Sequence, residues 1–139
     1  MGMSLQTAIR SPAEGATERV DPITCLDERT LSQASEGGRG APPAPGRYLE
    51  VQGAERTLLI PVKDEVIHIG RGLSADLHLD ETSVSRRHAI LVPRAGGARV
   101  LDDRSSNGTF VNGRRVQQAD LTNGDVIVVG RVVLRYLEL

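Results

Sequence analysis

The sequence predicts an antiparallel β-sandwich preceded by an N-terminal tail without compact structure. From Arg47 onward the chain breaks into short β-branched runs separated by Gly, Asn and Asp, spaced too closely to leave room for a helix. The pairs Gly96-Gly97, Asn112-Gly113 and Asn123-Gly124 supply residues that tolerate positive φ, as hairpin turns require. Residues 1–45 show no sustained apolar periodicity and end in the run EGGRGAPPAP, a composition that resists packing.

In order, the expected strands are Tyr48 to Gln52, Thr57 to Val62, Val66 to Ile69, Asp76 to Leu79, His88 to Val92, Arg99 to Leu101, Thr109 to Val111, Val126 to Val129 and Val132 to Leu137. So many short strands within residues 46–139 imply two sheets face to face, with their loops collected at the ends. The 139 residues are enough for one core. The tail, residues 1–45, carries four Arg against six Asp and Glu, and the rest thirteen Lys and Arg against twelve acids. No repeat of 20 to 50 residues is visible, so the sequence does not support a solenoid.

Composition removes several classes of function. With no Trp, two Tyr, one Phe and a formal net charge of -1, the chain lacks both the aromatic faces and the basic excess that nucleic-acid binders need. The apolar runs around Val126 to Val129 and Val132 to Leu134 are broken by Gly130-Arg131 and are too short to span a bilayer. A lone Cys25 and the absence of a secretory pattern point to the cytoplasm. His68, His78 and His88 fall on different strands without ligand-like spacing, so no metal site or cofactor is expected. Ser85 and His88 suggest a nucleophile and base, but no nucleophile elbow or third orienting residue accompanies them, and no catalytic residue is assigned.

Three loop segments are richer in polar groups than sandwich connections require: Gly70-Arg71, Ser85-Arg86-Arg87-His88 and Ser105-Ser106-Asn107-Gly108-Thr109. Loops on a rigid scaffold are where binding concentrates. Converging at one end, these three would bring guanidinium and hydroxyl donors together with few carboxylates, an arrangement that attracts a dianion.

The order Gly70-Arg71, Ser85-x-x-His88, Ser105-x-Asn107-Gly108-Thr109 and Asn112-Gly113 resembles the signature of the forkhead-associated (FHA) domain. The resemblance covers about residues 47–139 and includes Ala75-Asp76-Leu77-His78-Leu79 and the ending Leu121-x-x-Gly124-Asp125-x-Ile127-x-x-Gly130. It implies a sandwich of about eleven strands that binds phosphothreonine peptides in its loops, without enzymatic activity. It further implies that Arg71 and Ser85 hold the phosphate and that Asn107 bonds the peptide main chain, with Arg86 as a second cation and Ser106 as a further phosphate contact. Gly70, His88, Gly108, Thr109, Asn112 and Gly113 are then scaffold for the binding loops. A phosphothreonine carries about −1.5 to −2 charges and three acceptor oxygens, which such donors satisfy together.

The sequence departs from the common family pattern at Asp103 and Arg104, where many relatives carry an apolar residue and glycine. Ser83, Arg104 and Arg114 are candidates for reading peptide positions beyond the phosphothreonine. In the tail, Thr24 and Thr30 lie in ITCLDERTLSQ, its most apolar stretch, which reads as a kinase site or a docking motif; Thr7 and Thr17 are further threonines. The resemblance implies a Ser/Thr protein kinase upstream and a domain that captures its own phosphorylated tail. A flexible linker from Thr30 to Gly46 would span about 22 Å, giving a millimolar effective concentration. The contrasting expectation is a phosphate-independent interaction module that regulates a metabolic enzyme or a secretion or division assembly.

Overall fold

The computed structural model describes residues 21–36, 44–53 and 56–139. Its strands are β1 (Ser35–Glu36), β2 (Arg47–Gln52), β3 (Thr57–Val62), β4 (Ile67–Gly70), β5 (Leu77–His78), β6 (Ala89–Arg94), β7 (Gly97–Asp102), β8 (Thr109–Val111), β9 (Arg114–Val116), β10 (Gln118–Leu121), β11 (Val126–Val129) and β12 (Val132–Glu138). They form two sheets, ordered β1-β3-β2-β12-β11-β8-β9 and β10-β7-β6-β4-β5. Strands β2 to β12 supply the eleven of the sandwich. All pairs are antiparallel except β4 with β5, where Gly70 faces His78 in a parallel register.

Period-two burial builds the core. Along β12, Val132, Leu134 and Tyr136 are fully buried while Arg135 is exposed, and along β11, Ile127 and Val129 point inward. These side chains meet Ile69, Leu77, Leu91 and Val100 of the facing sheet in one cluster. Each buried aliphatic side chain contributes about 1.5–3 kcal/mol. The cluster fixes the sheets against each other and so fixes the ends at which the loops emerge.

Three strands were not foreseen: β1, β9 and β10. Arg114-Arg115 begins β9, which is short, polar and at a sheet edge. The turn before it is the two-residue type that matches strand twist, with Asn112 at φ 51 and Gly113 at φ 85. Asn123-Gly124, expected as a hairpin, instead crosses between sheets, since β10 pairs with β7 and β11 with β12.

The larger correction concerns the tail. The expected disorder of residues 1–20 and 37–43 lies outside the described residues, but residues 21–36 are ordered. A 3₁₀ turn at Pro22–Cys25 is capped by Asp21, whose Oδ1 accepts the Ile23 N–H at 3.0 Å. Helix α1, Glu28–Gln33, is capped by Asp27, whose Oδ1 accepts the Thr30 N–H at 2.9 Å. Such caps offset the propensity of a polar sequence to stay unfolded. Leu26 joins the core cluster, Ile23, Leu31 and Ala34 pack against it, and β1 pairs with β3. Too few apolar residues face inward here to show as a periodicity, yet the sandwich supplies the other half of the interface.

Replacing Leu26 by Ala should lower the stability of the whole chain by about 2–3 kcal/mol in urea denaturation. A residue in an undocked tail would cost nothing.

Candidate functional site

The three polar loops emerge together because β4, β6 and β7 are neighbours in the small sheet and β8 faces them from the large one. Backbone bonds first join the loop after β4 to the one before β6: the Arg71 N–H donates to the Ser85 carbonyl at 3.0 Å and the Gly72 N–H to the Arg86 carbonyl at 3.1 Å. The approach is so close that a Cβ on Gly70 would lie 2.1 Å from the Arg86 carbonyl oxygen. Only glycine fits there. Arg71 Nε donates to the Val84 carbonyl at 3.0 Å, which orients the guanidinium and leaves both terminal nitrogens without a partner among the described residues.

The loop after β7 is tied in from the other side. The Ser106 N–H donates to Ser85 Oγ at 2.9 Å, and Asn107 Nδ2 donates to the Ser83 carbonyl at 2.9 Å. Arg71, Ser85, Ser106 and Asn107 are thereby held on three adjoining loops, with Ser106, Asn107 and Arg86 exposed. The Ser85 hydroxyl hydrogen remains free to donate outward.

Beneath them sits His88, fully buried. Its Nδ1 accepts the Ser85 N–H at 3.0 Å and its Nε2–H donates to the Gly108 carbonyl at 2.8 Å, a pattern that requires the neutral ring. Burial lowers the imidazole pKa below its ordinary 6.5, and the Gly108 carbonyl and Asp102 carboxylate only partly oppose this. Gly108 itself, at φ 90, lies under Arg115, whose Nε would be 2.6 Å from an added Cβ.

Asp102 and Glu81 were not singled out from the sequence, and both shape the site. Asp102 accepts the Ser105 N–H at 3.2 Å and the Thr109 hydroxyl at 2.8 Å, while Ser105 Oγ also donates to it and accepts the Gly108 N–H at 2.8 Å. Burial raises the Asp102 pKa, but the bonds from Ser105 and Thr109 outweigh it and hold the carboxyl below the usual range. An Asp three residues before a Ser is a turn signal that could have marked it. Glu81 pairs with Arg131 and accepts from Ser83, anchoring the middle loop to the turn between β11 and β12.

Not every candidate lies here. Ser83 spends its hydroxyl on Glu81 and on the Arg131 N–H, so it braces the loop. Asn112 and Gly113 sit at the opposite end of β8 from Gly108 and Thr109; Asn112 is bonded to Asp125 and Val126 at the start of β11. They set the hairpin, and Arg114 begins at that far end too. Thr30 is 3% exposed with its hydroxyl donating to the Asp76 carbonyl at 3.4 Å, and Thr24 lies in the 3₁₀ turn. Thr7 and Thr17 are outside the described residues. His68 is exposed, while His78 lies between the tail and the site, its Nε2 on the Arg71 carbonyl at 2.9 Å and its Nδ1 3.7 Å from Asp27.

Asp103 and Arg104 occupy the rim. Asp103 is bound by Arg87 through contacts of 3.1 and 3.4 Å. Arg104 stands at φ 62, in the left-handed region that costs a residue with a Cβ about 1–2 kcal/mol.

Comparison with known proteins bears on this geometry. The FHA domain model matches residues 67–130. Over 122 residues the chain is 33% identical to the glycogen accumulation regulator GarA of Mycobacterium tuberculosis, covering 86% of this chain and 75% of that one. The chain belongs to the FHA family. An FHA structure solved in work on phosphothreonine-dependent FHA domain interactions is 34% identical, with a TM-score of 0.59 over 67% of this chain and 96% of that one. The ABC transporter ATP-binding/permease protein Rv1747 of M. tuberculosis is 46% identical over 72 residues, which span 52% of this chain but only 8% of the transporter. The FHA match runs from β4 to Gly130 and so contains all three loops, and excludes residues 21–36. No helix among the described residues is long and apolar enough to cross a membrane.

The neutral His88 has a pH consequence. Above its unfolded pKa near 6.5 both states are uncharged and the stabilisation is complete; below it the unfolded chain takes up a proton that the folded ring resists, so stability falls until the lower folded pKa is passed. Urea midpoints of the wild type should therefore decline as pH drops below about 6.5. His88→Asn should cost about 2–3 kcal/mol at neutral pH and flatten that decline. Arg104→Gly should stabilise the fold by up to about 1 kcal/mol, seen as a raised Tm.

Proposed function

We propose that the protein is a cytoplasmic adaptor that binds phosphothreonine peptides in Ser/Thr kinase signalling and performs no catalysis itself. The observation that carries this is the meeting of Arg71, Ser85 and Asn107 on loops that are hydrogen-bonded to one another before any ligand arrives. The free guanidinium end of Arg71 and the Ser85 hydroxyl supply donors for phosphate oxygens, with Arg86 and Ser106 at the side. Asn107, which both donates and accepts, suits a peptide main chain. Two or three charge-assisted contacts of about 1.5–3 kcal/mol each, less the cost of ordering the peptide, give micromolar affinity.

Calorimetry with matched phosphorylated and unphosphorylated threonine peptides tests this. The phosphopeptide should bind in the micromolar range and more weakly as salt rises, whereas the unphosphorylated one should show no heat; equal binding of the two removes the reading. Arg71→Ala should weaken phosphopeptide binding about 10- to 100-fold, and Ser85→Ala about 10-fold.

A second reading is favoured by the relative named a glycogen accumulation regulator. On that reading the loops or another face bind a metabolic enzyme without phosphate. Arg71→Ala separates the two, since undiminished partner binding belongs only to the second.

Phosphorylation of Thr24 or Thr30 followed by self-capture is part of the first reading. Burial of the Thr30 hydroxyl means that a kinase meets it only after the segment leaves the sandwich. Kinase-treated protein should then compete with a free phosphothreonine peptide for its own site, and peptide affinity that does not change on treatment rules the switch out.

A further inference from the structure

Arg71 is held at three points. Its N–H donates to the Ser85 carbonyl and its Nε to the Val84 carbonyl, both at 3.0 Å, and its own carbonyl accepts from His78 Nε2 at 2.9 Å. The first two bonds lead to the loop before β6. The third leads to β5, the edge strand of the small sheet, and the chain leaving β5 meets residues 21–36 where Leu79 bridges to Leu26. We propose that His78 is a positioning residue for Arg71, seated by the docked segment 21–36, so that docking of this segment raises the affinity of the phosphate site. The proposal rests on the phosphothreonine reading above and adds what regulates that site.

The first support is how little else fixes His78. Strand β5 is two residues long and pairs only with β4, where Gly70 faces His78. On its other side the docked segment supplies the contacts: the Asp80 N–H donates to the Cys25 carbonyl at 2.9 Å, Arg29 reaches the Ala75 carbonyl at 2.8 Å, and the Thr30 hydroxyl donates to the Asp76 carbonyl at 3.4 Å. The imidazole is 13% exposed, and its buried Nδ1, which makes no hydrogen bond, lies 3.7 Å from Asp27 Oδ2. Asp27 is itself fixed, because its Oδ1 caps α1. The ring therefore fills the space between the segment and the Arg71 carbonyl. Withdrawal of Asp27 would open that space to water and release the rotamer.

The second support is energetic. A guanidinium that meets phosphate oxygens in a fixed geometry binds them more tightly when its main chain does not have to be ordered on binding. Docking of residues 21–36 orders it in advance. Such coupling is reciprocal: if the docked segment strengthens phosphopeptide binding by some factor, a bound phosphopeptide strengthens docking by the same factor. An occupied site thereby keeps the buried Thr30 covered, and release of the peptide makes that residue more accessible. The segment lies outside residues 67–130, so this brace is an addition to the matched family region.

The test uses the full chain. Wild-type binding of a phosphothreonine peptide and of its unphosphorylated match is measured first, by fluorescence anisotropy; equal binding of the two overturns the phosphothreonine reading and the coupling with it. His78→Phe, which keeps an aromatic ring and removes the donor, should weaken phosphopeptide binding about 5- to 10-fold. His78→Gln, whose amide donates at a similar reach, should recover most of that loss. Hydrogen exchange on the unaltered protein reads the other half of the coupling. Saturating phosphopeptide should slow exchange of the Leu31 and Ala34 amides, which are bonded within the docked segment, about 5- to 10-fold, and the unphosphorylated peptide should leave them unchanged. Wild-type affinity in His78→Phe, or a His78→Gln as weak as His78→Phe, overturns the positioning role. Exchange at Leu31 and Ala34 that the phosphopeptide does not slow overturns the coupling to the segment, and that measurement needs no variant, so it decides even where His78→Phe does not fold.

Discussion

One imidazole ring joins the two halves of the candidate site. His88 accepts from the Ser85 N–H and donates to the Gly108 carbonyl, so the loop before β6 and the loop that crosses from β7 to β8 are connected through a single uncharged, buried side chain. A protonated ring could not accept the first bond. The ring also explains why the loop carrying Ser106 and Asn107 is seated at a fixed height above Ser85: the Gly108 carbonyl is held from below while the Ser106 N–H is held from the side. Pre-ordering of this kind lowers the conformational cost of binding a flexible ligand.

How far the sequence reveals this depends on the type of information. Short apolar runs such as TLLIPV and VIVV, bounded by polar residues, Gly or Asp, identify β3 and β11 to the residue, because strand length and β-branched content leave a mark in composition. The polar loops are legible through their order and spacing: taken singly, Arg71, Ser85 and Asn107 are ordinary turn residues, and only together with Gly70, His88 and Gly108-Thr109 do they resemble a family signature. What a sequence does not display is which side chain is already occupied. Ser83 and Asn112 look as available as Ser85 and Asn107, yet one is committed to Glu81 and the other to the far end of β8. The same limit hid Asp102, whose role lies in what it accepts from residues up to seven positions away.

The tail segment shows a different limit. PITCLDERTLSQAS has apolar residues at Ile23, Leu26, Leu31 and Ala34, too sparse for an independent element, and its helix of six residues is shorter than an isolated helix needs. Its order comes from outside: Leu26 bridges to Leu79, the Asp80 N–H donates to the Cys25 carbonyl at 2.9 Å, and Arg29 reaches the Ala75 carbonyl at 2.8 Å. These contacts fall on the same stretch, 75–80, that leads back through His78 to the Arg71 carbonyl. A segment outside the family's matched region thus adjoins the back of the loop that carries Arg71.

Strand β1 is two residues long, but its position is unusual: it covers β3, which would otherwise be the last strand of the seven-stranded sheet. Without it, Leu58 and Leu59 would show unpaired main-chain amides and carbonyls to solvent along a hydrophobic border, the kind of border to which another polypeptide adds itself as a new strand. Any event that lifts residues 21–36 off the sandwich therefore also creates a surface for self-association. The position of the tail thus decides whether that border is paired or open.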